Sequence, residues 1–558
     1  MAPDAAATPA AAPVAAAAAA RHDDIAAHYD AIPYESRPFQ QTHPAQLAGL
    51  ARLFKLRPKP VGASRVLELG CASGGNLIPL ACAWPGLQAV GIELAPLQAR
   101  LGQRIIADLG LANAQIVCGD IVDAVALVGA QGPFDIIVCH GVFSWVPEAV
   151  QQAILRACRE LLAPDGLAYI SYNVYPGWKL REVLRDIMLQ HAGHLADPRQ
   201  RIDQARAMVR YLCEINADDS VFGKLLHAES ELVLKGSDYY IHHEFLELNN
   251  RPCYFRDFMR AAAQQQLAYV GEAQFSDMAP QRLREDIART LGMLAQGNVL
   301  ALEQYMDLFT NRYFRQTVLA HQGALGPLSR ALDPGSFAGL QLLAQCQPLP
   351  QTAEAGKAPP ADMPPPPAGS RQYQTRQGRV LTAQGLLATG ILDLLIEQAP
   401  APLAFEDLVR RVAERHSSVV PQDLQPIAQA VGEQLLQLLV LGGVTVWSEA
   451  PPATGSADTA PRAFAAARWY AEHGHTWAPS RYHLAVTTSP IENAVLLLCD
   501  GLHGPQQIAQ ALVPRFEAGE FQARRGDAVV SDRALLETIV GEAVPQVLAR
   551  LERQGLLA

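Results

Sequence analysis

Five short, almost wholly apolar runs separated by helical patterns constrain this chain more than any other feature. RVLEL (Arg65–Leu69), QAVGIEL (88–94), AQIVCGD (114–120), FDIIVC (Phe134–Cys139) and LAYISYN (167–173) read as strands. Residues 76–84, 96–109 and 148–162 carry helical patterns between them. Strands without polar alternation are covered on both faces, and intervening helices supply the cover. The expectation is an α/β fold with a parallel sheet. Two later runs, LAYVGEAQF (267–275) and FRQTVLAH (Phe314–His321), are predicted to complete that sheet. The helical stretches around 198–250 and 280–308 are then insertions into it.

The rest of the chain divides by composition. Residues 1–22 form an Ala/Pro-rich tail with no basic start, which excludes a signal peptide and predicts disorder. Residues 23–195 hold the five strands, and 196–325 hold the helical region with the last two. A Pro/Ala-rich linker is expected over 345–375. Beyond it, 376–450 and 462–558 share an order of helix, turn, helix and long third helix ending near a glycine. That order predicts two α-rich, winged-helix-like domains from an internal duplication.

Nine scattered cysteines without a C-x-x-C pair suit a reducing, cytoplasmic location. No run approaches the roughly 18 apolar residues of a membrane helix, so membrane insertion is not expected. The net charge of -10, and an acidic excess from Arg376 onward, argue against nucleic acid as a partner.

The chemistry concentrates where the first strand opens into a helix, at Glu68-Leu69-Gly70-Cys71-Ala72-Ser73-Gly74-Gly75-Asn76. Glycines there allow positive φ and let the backbone approach a ligand. The spacing is not G-x-G-x-x-G, so a pyrophosphate cradle is disfavoured. Glu93 ends the second strand, where a carboxylate can accept both hydroxyls of a ribose, and Asp120 ends the third, within reach of an adenine amino group. The expected ligand carries ribose and adenine without pyrophosphate. Aromatic rings follow the fourth and fifth strands: Phe143, Trp145, Tyr172 and Tyr175, with Asn173 among them. Such rings attract a cationic head, and Asn173 can position an amine; plain packing or turn roles remain the alternative for each. His242-His243-Glu244 lacks H-E-x-x-H spacing, and no metal is expected.

The turn, Glu93 and Asp120 resemble motifs of class I S-adenosylmethionine methyltransferases, whose fold is a Rossmann-like sheet. HGVFSWVP (140–147), SYNVYPGW (171–178), HHEFLELNNRPCYFRDF (242–258) and NRYFRQTVL (311–319) narrow the resemblance to bacterial methyltransferases with a methyltransferase regulatory domain. That group includes the rickettsial lysine methyltransferases acting on an outer-membrane protein. The resemblance implies S-adenosylmethionine as cofactor. It places the methionine moiety against Glu68, Gly70, Cys71, Ala72, Gly74 and Asn76. It places the ribose at Glu93 and Leu94, the adenine at Asp120 and Ile121, and the methyl near His140 and Gly141. It implies Phe143, Trp145, Tyr172, Asn173 and Tyr175 around the acceptor, a protein lysine as acceptor, and a homodimer built through the helical insertion. A small-molecule acceptor and a non-catalytic cofactor-binding protein stay open as alternatives.

Overall fold

The computed structural model describes residues 35–558 apart from 217–218, 248, 327, 350–368, 417–422, 453–459 and 526–527. The expected Ala/Pro tail lies outside the described residues.

Seven strands form the principal sheet: β1 (Arg65–Leu69), β2 (Gln88–Glu93), β3 (Ala114–Cys118), β4 (Phe134–Cys139), β5 (Leu162–Asn173), β6 (Leu267–Glu272) and β7 (Phe314–His321). Their order is β3-β2-β1-β4-β5-β7-β6. β1 through β5 are parallel, whereas β7 runs antiparallel between β5 and β6. Both late strands therefore join the sheet, as the apolar runs suggested. Every residue of β4 is buried, which is what a central strand covered on both faces requires. The order reverses between β1 and β4, and an open α/β sheet has its ligand crevice at the carboxyl ends of such a pair.

The helical insertion has a core of its own. Helices Trp178–Ala192, Pro198–Ile215, Val221–Lys235 and Asp238–Phe245 bury Leu184, Met188, Val209, Leu226, Val233 and Phe245 together. Side-chain caps start three of them: Asp197 accepts from Gln200 N, Ser220 from Gly223 N and Ser237 from Tyr240 N. The insertion thus begins at Trp178, before the boundary at 195 expected from sequence, because this helix turns its apolar side to the cluster.

The expected linker at 345–375 is strand at both ends. β9 (Cys346–Pro348) and β10 (Ser370–Thr375) pair antiparallel, and β11 (Val380–Gln384) extends them. Only its middle has the composition of a spacer; Tyr373 at its far end is fully buried.

The two C-terminal units share an unusual topology. In the first, β8 (Gln341–Ala344) lies between β12 (Leu403–Ala404), which follows helix Gly385–Gln398, and β13 (Val444–Trp447), which follows helix Gln425–Val440. In the second, Arg462 bridges Asp500 after helix Pro490–Leu498, and Ala463 bridges Leu557 after helix Arg533–Arg553. In each unit an upstream segment thus lies between the stretches of chain that follow two of its helices, the first and third in one unit and the second and fourth in the other. That shared threading is a stronger sign of duplication than helix spacing.

Both units clasp the N-terminal segment. Gly49 has no room for a side chain, since a Cβ would stand 2.7 Å from Val446 O. His43 stacks on Trp447 at 4.1 Å and Trp477 donates to Glu35; Trp469 also donates to Asp108, on the helix that follows β2.

Candidate functional site

The turn after β1 carries three residues in the left-handed region: Gly70 at φ 74°, Ala72 at 47° and Gly74 at 77°. For Ala72 this costs about 1–2 kcal/mol relative to the right-handed region. Glu93 at the end of β2 compensates. Its Oε2 accepts from Ala72 N and its Oε1 from Ala95 N, both at 2.8 Å. One carboxylate therefore shapes the turn as well as facing the crevice. Leu94 beside it is partly exposed, and Cys71 is buried under the turn, where burial pushes its thiol well up.

Glu68 lies beneath the same turn, almost wholly buried. Its Oε1 accepts from Asn76 Nδ2 at 2.9 Å, while its Oε2 has no hydrogen-bond partner. Burial lifts the carboxyl to about 8; the Asn76 amide opposes this and the Glu93 charge adds to it. Asn76 in turn receives three donors at Oδ1: Phe39 N at 2.9 Å, Thr42 Oγ1 at 3.2 Å and His483 Nε2 at 2.7 Å. Burial holds His483 down to about 3, so it stays neutral. The last C-terminal unit thereby reaches the turn through one imidazole.

Asp120 closes the β3 side. Its Oδ1 accepts from Val122 N at 2.9 Å, starting the short turn of nearly buried Ile121. At the end of β4, His140 Nδ1 meets Tyr169 Oη at 2.9 Å, and burial pushes the imidazole down to about 4. Gly141 (φ 69°) is exposed, with open space where a side chain would be, and its N donates to Ser171 Oγ.

The five residues expected around the acceptor separate into two groups. Trp145 and Tyr175 are partly exposed. Trp145 stands edge-on to Trp178 at 6.0 Å, and Tyr175 Oη donates to Glu182 at 2.6 Å with Lys179 Nζ 4.0 Å from its ring. Phe143, Tyr172 and Asn173 are buried behind them. Tyr172 stacks on Phe258 at 4.0 Å and its hydroxyl meets Thr317 Oγ1 at 2.9 Å; Phe143 packs edge-on to Phe258 at 5.3 Å. Asn173 N donates to Ser144 Oγ, and its Nδ2 is buried without a hydrogen-bond partner. His43 caps helix Pro44–Leu53 through Nδ1 and lies fully buried.

Two further rings stand at the mouth. Phe39 lies 4.2 Å from the His140 ring, and Phe314 stands edge-on to it at 6.4 Å. Phe39 reads as packing in sequence, and Phe314 opens a strand that follows β4 by some 180 residues. A cavity of about 1000 Å³ beside Arg57, Arg159 and His321 lies at the opposite edge of the sheet and contains none of these groups.

Comparisons with known proteins now bear on this geometry. Residues 66–166 match a methyltransferase domain, 237–321 match a domain described as a predicted methyltransferase regulatory domain, and 460–556 match the C-terminal winged-helix domain of PKMT. An uncharacterised protein of Rickettsia prowazekii (strain Madrid E) is 33% identical over 235 residues, covering 42% of this chain and 93% of the relative. The chain belongs to the S-adenosylmethionine methyltransferases that carry a regulatory domain. A second R. prowazekii protein, also uncharacterised, is 37% identical over 300 residues, and this methyltransferase spans about half of it (53% of each). The solved structure of PKMT2 from Rickettsia typhi in complex with AdoHcy superposes with a TM-score of 0.79 at 25% identity, over 94% of this methyltransferase and 100% of that chain. No described helix of the methyltransferase is long and apolar enough to cross a membrane.

Proposed function

We propose that this methyltransferase transfers the methyl group of S-adenosylmethionine to lysine side chains of a protein, at the carboxyl edge of β1 and β4. One observation carries the reading. The whole described architecture, winged-helix end included, matches PKMT2, which was solved with AdoHcy.

Gly70, Cys71, Ala72 and Gly74 hold the methionine moiety through backbone groups, with Asn76 bracing the turn. Glu68 Oε2, buried without a partner, fits the ligand's ammonium. Glu93 and Leu94 take the ribose, Asp120 and Ile121 the adenine, and His140 and Gly141 border the methyl. Bound S-adenosylmethionine supplies an electrophilic methyl on a sulfonium. The chain's share is alignment and exclusion of water. Trp145, Tyr175, Phe39 and Phe314 offer ring faces to a lysine, which loses its proton to solvent before its nitrogen attacks. Phe143 and Tyr172 pack on Phe258, and Asn173 N donates to Ser144 Oγ beside Trp145. A neutral His140 adds no charge against a cationic ligand. The labelling experiment is direct: isotopic methyl-S-adenosylmethionine, this protein and a lysate lacking it. Label on protein lysines supports the reading; label only in small molecules replaces it with the small-molecule alternative.

Glu68 links this site to pH. A carboxyl lifted in the folded state contributes stability that is whole below its unfolded pKa and is lost as pH rises through the folded one, here between 4.5 and about 8. Ligand-free protein is expected to lose thermal stability across that window, and Glu68→Gln to flatten the loss. Cofactor binding at pH 7 favours the ionised carboxylate and so releases about one proton. Calorimetry in two buffers of different ionisation heat reads this number, and a value of zero detaches Glu68 from the ligand.

His483→Ala removes one of the three donors to Asn76. Roughly tenfold weaker cofactor binding is expected, about 1.4 kcal/mol. Unchanged affinity in a folded variant would show that the turn holds without the C-terminal unit.

The homodimer is assigned to the exposed Tyr211, Ile215 and Val221 where two insertion helices meet, and sedimentation at micromolar concentration tests it. All nine cysteines are free, in keeping with the proposed cytoplasmic location.

A further inference from the structure

A second cavity, of about 630 Å³, lies beyond the mouth of the crevice. Three separate segments send arginines to its wall: Arg282 from the turn after β6, Arg312 just before β7, and Arg376 and Arg379 from the β10–β11 hairpin. Asp277 is the one carboxylate among the described lining residues.

The charges do not cancel. Arg379 Nη2 meets Asp277 Oδ1 at 3.0 Å, and Arg312 Nε meets buried Asp307 at 3.3 Å. Among the described residues Arg376 Nη1 donates only to the neutral Gln40 Oε1, at 2.7 Å. Arg282 has a buried Nε without a hydrogen-bond partner, and among the described residues no carboxylate lies within ion-pair distance of it. Burial, with Arg379 and Arg312 nearby, pushes Arg282 down to about 10 despite Asp277 and Glu303; burial also lowers Arg376. Two guanidiniums thus line the cavity without a carboxylate partner among the described residues, Arg282 part-buried in its wall and Arg376 exposed at its rim. Unneutralised guanidiniums gathered in one cavity attract a ligand that supplies the counter-charge.

The cavity adjoins the reaction mouth. Phe314 forms part of its wall and also stands edge-on to His140. Gln40 and Gln41, also in the wall, follow Phe39, which packs on the same imidazole.

We propose that this cavity is an anion subsite that receives an acidic side chain of the acceptor polypeptide, close in sequence to the methylated lysine. The inference rests on the protein-lysine reading above and adds a rule of substrate choice to it. Guanidiniums in a fixed fork suit a carboxylate, with two parallel hydrogen bonds. An extended chain advances about 3.3–3.6 Å per residue, so an acidic residue a few positions from the lysine spans the distance between mouth and cavity. A free anion offers the same chemistry, and the test separates the two sources.

The full chain is mixed with S-adenosylhomocysteine and lysine-centred peptide pools bearing Glu or Gln at each of six flanking positions. Binding is read directly, by fluorescence anisotropy, so no turnover is needed. At one or more positions the Glu pool is expected to bind at least tenfold tighter than the Gln pool. Arg376→Gln and Arg282→Gln should erase that preference and leave the Gln pool unchanged. Wild-type affinity for the Glu pool should also fall more steeply with added NaCl, a measurement that survives a variant that fails to fold. Inorganic phosphate should compete with the Glu pool. Equal binding of the two pools, a loss that affects both pools alike, or phosphate binding without competition would each overturn the subsite. Absence of label on any protein in the lysate experiment would overturn the protein-lysine reading instead, so the two failures are distinct.

Discussion

Arg315→Met is expected to cost the fold about 3–5 kcal/mol, the scale for stranding buried charges by removing their partner. Arg315 is fully buried on β7. Its Nη1 meets Glu272 Oε1 at 2.6 Å, its Nη2 meets Asp307 Oδ1 at 2.8 Å and Glu303 Oε2 at 3.1 Å, and its guanidinium lies 3.9 Å from the Phe255 ring centre. Methionine fills much of the volume but leaves Glu303 and Asp307 with Arg312 alone as an ion-pair partner, and Glu272 with none among the described residues. Burial already raises Glu303 and Asp307, with Arg315 as the main opposing charge. Without it both carboxyls rise further and take up protons. Carboxyls raised in the folded state stabilise it at low pH and weaken it as pH climbs. The variant's loss should therefore be larger at pH 8 than at pH 5. Urea denaturation of both proteins at the two pH values measures it, and equal loss at both would mean the cluster does not hold these charges. The effect should extend to the whole sheet, since β7 is the strand between β5 and β6.

Gly70→Val should reduce S-adenosylmethionine binding by at least about a hundredfold, or about 2.7 kcal/mol. Gly70 adopts φ 74°, and a Cβ there would stand 2.6 Å from Val142 Cγ2. A β-branched residue is strained in that region whatever space surrounds it. The turn has to move, and with it the Ala72 amide that Glu93 holds. Calorimetric titration measures the affinity, and the thermal midpoint of ligand-free variant shows whether the fold survives. A folded variant with undiminished affinity would put the cofactor elsewhere.

How far the site was readable from the chain follows distance along it. The turn from Glu68 to Asn76, Glu93 and Asp120 each sit at a strand end, and a strand end is visible in a short window of apolar residues. β6 and β7 showed the same apolar signal, but the antiparallel direction of β7 depends on how the insertion folds back. Tyr172 and Tyr175 look alike in sequence, within and just after the same strand end. Only packing against Phe258 makes one a buried support and leaves the other at the surface. The linker expected at 345–375 was too long because composition is blind to pairing, and β9 and β10 are polar strands that find each other.

Local patterning, then, determined the parallel sheet, the glycine turn and its two acidic neighbours, because periodicity and left-handed backbone needs act over a few residues. Tertiary structure alone decided that Asn76 would be gripped by Phe39, Thr42 and a histidine 407 positions away. It alone gathered four arginines from three loops into one cavity. Such meetings are set by how whole elements close on one another, and no short stretch of chain contains the charge or donor that it will later face.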